Sequence, residues 1–160
     1  MTKIQVAVIP LRILLVMLFV ASVLGQTLAM PGQFAYMAQE SPELAYLRWP
    51  MLTFSVLELL CVQVVIVSTW RLLTLVKADR IFSEGSLAWV DAIVWAIVAA
   101  WVMLLGVFIY FALTLGIEPG FPMLVMVMLV AGAALALLMV VLRALLRQAT
   151  SLRTDMEAVI

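Results

Sequence analysis

Glu58 sits near the middle of MLTFSVLELLCVQVVIVSTWR, Met51 to Arg71, a run that is otherwise almost all hydrocarbon. A carboxylate placed there has two chemistries open to it. It can be a proton- or cation-responsive site, as intramembrane acids often are, or a polar contact that fastens one helix to another. On a helix, its face also carries Ser55, Cys61, Val65 and Thr69, a small and polar stripe expected to look inward. Ser22 and Gln26 of the first helix, and Gly106 and Tyr110 of the third, are expected at its depth, with no Lys or Arg. Glu58 is therefore predicted to be neutral and to donate a hydrogen bond to a neighbouring helix. A second group, Arg71, Asp91 and Arg143, shares a predicted depth at the opposite boundary, where Arg12 is a further candidate. Asp91, in WVDAIVW, is the acid available there to balance several guanidiniums, and bidentate contacts suit that geometry. This layer reads either as a small-ligand or lipid-headgroup site or as an inter-helix clamp with snorkelling arginines.

Other chemistry finds little material. The chain has no His, the commonest general base and metal ligand, and its one cysteine, Cys61, lies in an apolar run. No disulfide framework, CxxC pair, nucleophile–base constellation or phosphate-binding Gly loop is present. The expectation is a protein that is not an enzyme, with no cofactor and no metal. A net charge of zero gives no reason to expect direct nucleic-acid binding.

The elements that must position these residues are membrane helices. The 160 residues are 68% hydrophobic and 11% charged, where a soluble domain is nearer half apolar and a quarter charged. Four segments reach the roughly 20 apolar residues needed to cross about 30 Å of hydrocarbon. They run about 11–30, 50–73, 87–115 and 122–146 and predict one domain over 1–160, an all-α antiparallel four-transmembrane-helix bundle. A loop at 74–86 and a helical tail at 147–160 complete it. Ser41 and Pro42 in SPELAY suit a helix start, so helix 2 is able to begin early. Ser83 is the expected N-cap of helix 3, and GIEPGFP (Gly116–Pro122) a tight turn. Lys3, Arg12, Arg71, Lys77, Arg80, Arg143, Arg147 and Arg153 fall on one side and only Arg48 on the other, which predicts cytoplasmic termini. A cleaved signal peptide over 1–29, with Thr27-Leu28-Ala29 as its cleavage site, is the rival reading. It would leave an odd number of spans and put the basic loop and basic tail on opposite sides.

Helices in lipid associate through close backbone approach and polar contacts. Ala88, Ala92, Ala96, Ala99, Met103, Gly106 and Tyr110 form one small-residue stripe on helix 3. Gly132, Ala133 and Ala136 on helix 4, and Ala21, Ser22 and Gly25 on helix 1, offer matching surfaces. Along the tail, Leu138, Leu142, Leu145, Ala149, Leu152, Met156 and Val159 alternate spacings of four and three, a heptad stripe. Arg147 and Arg153 lie off it, and Arg153 is placed to pair with Glu157 one turn on. The tail, with Arg147, Leu152, Arg153 and Met156, is the candidate partner contact: another copy, a protein partner or the anionic leaflet.

The block TWRLLTLVKADRIFSEGSLAWVDAIVWAIVAAWVML, with the tail LLRQATSLRTDMEAVI, resembles the YoaS-like domain-of-unknown-function family of small bacterial four-helix membrane proteins. Its helix 2–3 loop ends in a Phe-Ser/Thr-Glu element, matched here by Phe82, Ser83 and Glu84. Relatives carry basic residues early in helix 3, where this chain has Trp89 and Asp91. The resemblance implies a multi-pass protein of the bacterial plasma membrane and, as partner, a small helix-turn-helix regulator of the Cro/CI type. It brings no catalytic residues. Two functions remain open: an accessory or sensor protein that engages a partner through loop and tail, possible as a homo-oligomer or membrane-protein complex, or a small transporter or channel subunit that uses Glu58.

Overall fold

Among the described residues the protein is all-helical, with four helices long and apolar enough to cross a membrane. A computed structural model describes residues 3–116 and 120–159. Large apolar side chains such as Leu113 and Trp95 lie 82% and 72% exposed on these helices. Surface of that kind needs lipid as its solvent.

The chain divides into two compact units, Met1–Ile66 and Val67–Ile160. In the first, α1 (Lys3–Leu24) continues through a π-helical turn (Gly25–Ala29) into α2 (Met30–Glu40). The predicted helix 1 ended at Met30; the observed helical run reaches Glu40. Hydrocarbon thickness sets how much of a helix must be apolar, and not where the helix stops. The π turn has a local cause. Pro31 has no N–H and its ring would crowd the carbonyl four residues back, so the ladder widens just before it, with the Met30 N–H reaching Gly25 O. Ser41 then breaks the run at φ −128°, ψ 79°, and Pro42 opens a 3₁₀ turn (Pro42–Leu47) that feeds α3 (Arg48–Lys77). Helix 2 thus does begin early, although Ser41 makes no side-chain cap bond. Within this unit Val8, Leu15 and Ser22 are buried at seven-residue spacing on α1.

The second unit holds the end of α3, then α4 (Glu84–Thr114) and α5 (Gly120–Val159). The connection between α3 and α4 is 78–83, shorter than the predicted 74–86, because α3 runs on to Lys77. It closes by a Schellman pattern: Arg80 N–H bonds Leu75 O at 2.8 Å and Asp79 N–H bonds Val76 O at 3.1 Å. Asp79 takes the left-handed position, φ 56°, that glycine usually fills. Ser83 stands at the N-cap but donates its hydroxyl to Arg80 O at 2.7 Å and caps nothing on α4. Ser86, with no exposed surface, donates instead to the carbonyls of Ile81 and Ser83. Gly116, φ 57°, ends α4. The rest of the expected turn, residues 117–119 with Glu118, lies outside the described residues.

α5 is one 40-residue helix, so the predicted helix 4 and helical tail are a single rod. It packs antiparallel on α4, and their Cα atoms come within 8 Å. As the α4 contact residue moves from Trp101 back to Asp91, its α5 partner advances from Gly132 to Arg143. The small-residue stripe expected to make this seam is largely elsewhere: Ala88, Ala99, Gly106 and Tyr110 are exposed, and of that stripe only Ala96 is buried. The α4 core positions are Ser86, Val90, Ile93 and Ala96. A large residue takes over at the seam, since Trp101 covers Gly132 and donates its indole N–H to Leu129 O at 2.7 Å. Gly132 is what lets that ring in.

Candidate functional site

Three polar constellations stand out, one in the first unit and two in the second. In the first unit, α1 and α3 meet through Gln63. Its amide nitrogen donates to Gln26 Oε1 at 2.7 Å and to Ser22 Oγ at 3.2 Å. Gln26 in turn donates to Val56 O at 3.1 Å, and Ser22 to Phe19 O at 2.8 Å. The π turn carries Gln26 and Gly25 toward α3, where Gly25 lies over Leu59. Ser22 and Gln26 were expected opposite Glu58 and are instead bound to Gln63 and the α3 backbone. Glu58 Oε1 is buried with no hydrogen-bond partner among the described residues, so the predicted bond to a neighbouring helix is not seen at that oxygen. Cys61, one turn on, is half-buried.

Gln63 is the residue that sequence reading passed over. It sits on a different face from the Ser55–Thr69 stripe, and the expected signal, a polar residue within α3 at the depth of Ser22, was available. In lipid such inter-helix bonds average near 0.6 kcal/mol and reach about 1.7 kcal/mol. Gln63→Leu, which removes two of them, should therefore destabilise the first unit by about 1 kcal/mol in mixed-micelle unfolding. No change at all would mean the cluster is incidental.

In the second unit Arg143 and Asp91 form a bidentate ion pair, Nε to Oδ1 and Nη2 to Oδ2 at 3.3 Å, with both side chains a little over one-third exposed. Arg71, the third predicted member of that layer, stacks its guanidinium on the Trp89 ring at 5.6 Å. Arg12 belongs to the first unit, on α1.

The third constellation joins the 78–83 connection to α5. Arg153 pairs with Glu157 at 3.5 Å, as its spacing implied. It also approaches Asp79 at 4.0 Å and stacks on Phe82 at 5.9 Å. Beside it Thr150 is buried. Of the other tail residues, Arg147, Leu152 and Met156 are exposed.

A family model described as a protein of unknown function (DUF2975) matches residues 32–160. The chain belongs to this family. No curated protein and no solved structure matches it. The DUF2975 match takes in Glu58, Gln63, the Asp91–Arg143 pair and the Arg153 junction, while Ser22 and Gln26 lie ahead of it. The polar network of the first unit thus ties the DUF2975 region to the helix that precedes it.

Proposed function

We propose that this DUF2975 member is an accessory or sensor protein of the bacterial cytoplasmic membrane, akin to the YoaS-like group. Its termini face the cytoplasm, and it engages a partner through the connection after α3 and the C-terminal part of α5. A small helix-turn-helix regulator is the partner class the sequence resemblance favours. The observation that carries the reading is the Arg153 junction: one side chain reaches Asp79, Phe82 and Glu157, so connection and tail present one joint surface. The excess of Lys and Arg around these segments supports their cytoplasmic placement.

Gentle extraction from the native membrane should retain the regulator, and deletion of residues 148–160 should release it. Retention unaffected by the deletion would reject the reading. The alternative, a small transporter or channel subunit, draws on the buried Glu58 Oε1, which has no hydrogen-bond partner among the described residues. Proteoliposomes decide between them. Equal, negligible ion flux for wild type and Glu58→Gln leaves the accessory reading in place, whereas wild-type flux abolished by Glu58→Gln would replace it.

A further inference from the structure

Arg71 is exposed on α3, six residues or about 9 Å before the helix ends at Lys77. Trp89 is half-buried on α4, five residues or about 8 Å past its start at Glu84. Leu72, Leu73, Leu75 and Val76 follow Arg71, and Leu87 and Val90 flank Trp89, so both lie in apolar sequence. A full positive charge in such a setting belongs at the rim of the bilayer, where an arginine reaches the headgroups. The acid nearest to Trp89 in sequence is already engaged, since Arg143 holds both oxygens of Asp91. Among the described residues Arg71 makes neither an ion pair nor a hydrogen bond; its contact is the face of the Trp89 ring, 5.6 Å away. Trp89 is in the same position. The indole N–H of Trp101 is bound to Leu129 O, whereas that of Trp89 meets no acceptor among the described residues.

The two helices thus hold out donors alone: a guanidinium with five N–H groups and the indole N–H of the ring beneath it. A donor-only pair calls for an acceptor-rich anion. Stacking occupies one face of the guanidinium and leaves its planar N–H edge open, the edge that grips a phosphate through two parallel bonds. A dissolved anion would have to leave water to reach this depth, whereas the phosphate of a lipid headgroup is already at the rim. In a zwitterionic lipid the headgroup's own ammonium offsets that phosphate; in an anionic lipid nothing does. We propose that Arg71 and Trp89 form a binding site for the phosphate of an anionic phospholipid, with Arg71 as the bidentate donor and Trp89 as the platform that orients it. The site is separate from the Asp91–Arg143 clamp and requires neither a protein partner nor a particular sidedness of the termini.

Native mass spectrometry of the full chain in neutral-detergent micelles, titrated with phosphatidylglycerol or phosphatidylcholine, tests the site. Wild type should hold one phosphatidylglycerol at least fivefold more tightly than phosphatidylcholine. Arg71→Gln should erase that preference, and Trp89→Leu should lower it at least threefold. Arg71→Lys, a point charge without the planar fork, should stay at least threefold weaker than wild type. Lys77→Gln removes the same charge from the exposed end of α3 and should leave the preference within twofold of wild type. Because Arg71 bonds no other side chain among the described residues, Arg71→Gln should unfold in phosphatidylcholine much as wild type does; if it does not fold, Arg71→Lys carries the same comparison. No preference in wild type, a preference that survives Arg71→Gln, or an equal loss in Lys77→Gln, the mark of diffuse charge attraction, would overturn the proposal. Inorganic phosphate that displaces phosphatidylglycerol at equal concentration would overturn the lipid assignment in favour of a dissolved anion.

Discussion

Gly132→Leu should separate α5 from α4 and lower the stability of the second unit by about 2–3 kcal/mol, the upper part of the range for an overpacked core. A Cβ on residue 132 would meet Trp101 Cδ1 at 3.0 Å, before any longer side chain is considered. The indole has little freedom to yield, because its N–H is held by Leu129 O at 2.7 Å. Gly132→Ala is the milder probe. Replacing a helical glycine by alanine ordinarily gains up to about 1 kcal/mol, so a neutral or slightly destabilising result would already reveal the contact. Gly106→Ala supplies the control, since nothing lies within 4 Å of its would-be Cβ and the helix gain should appear in full. In a Trp101→Ala background the cost of Gly132→Leu should fall by at least half. Unfolding in mixed micelles measures each of these variants against wild type and Trp101→Ala alone, and strict additivity would show that glycine and tryptophan do not share this seam.

That seam also marks the limit of what was legible in the sequence. Apolar run length identified four membrane helices, because lipid imposes one dominant requirement and composition answers it. The ends of those helices were not legible in the same way. Nothing in the hydropathy of Met30–Glu40 or Arg147–Val159 opposes helix, so the rods run on until Ser41 or the end of the described residues. The small-residue stripe of α4 was a sound motif on the wrong face. Close approach needs smallness on only one of the two partners, and Gly132 supplied it so that Trp101 could be large. Glu58 was found because a charge in hydrocarbon is conspicuous. Gln63 was missed because it lies off the Ser55–Thr69 stripe that drew attention to α3, and of its two bonds the one to Gln26 forms through the π turn before Pro31, which no periodicity announces. Asp91 and Arg143 were legible as a pair from matching depth, whereas Arg71 was drawn off by Trp89, an aromatic competitor for the same guanidinium. The Arg153 junction escaped for a related reason: Glu157 lies one turn away in sequence, but Asp79 and Phe82 come to Arg153 only through the antiparallel register of α4 and α5.

Asp91→Ala is expected to cost the second unit about 1–2 kcal/mol, well short of the 3–5 kcal/mol typical when a fully buried pair is broken. Both partners keep 38% and 39% of their side-chain surface, and a long arginine can swing its guanidinium toward water once released. Arg143→Ala should cost more, because Asp91 sits two turns into α4 on a short side chain that cannot follow its charge out of the apolar layer. Arg143→Lys tests geometry apart from charge. One ammonium cannot reproduce the Nε–Oδ1 and Nη2–Oδ2 contacts, so lysine should recover less than half of the loss. The double variant Asp91→Ala/Arg143→Ala should be less destabilised than the two single changes combined, with a coupling near 1 kcal/mol that shrinks in molar salt. A coupling of zero would mean the guanidinium is satisfied elsewhere, and the lipid headgroup is the natural claimant. Under that outcome, anionic lipid should stabilise the wild type but not Arg143→Ala. A clamp instead predicts the same Asp91–Arg143 coupling in neutral and in anionic lipid.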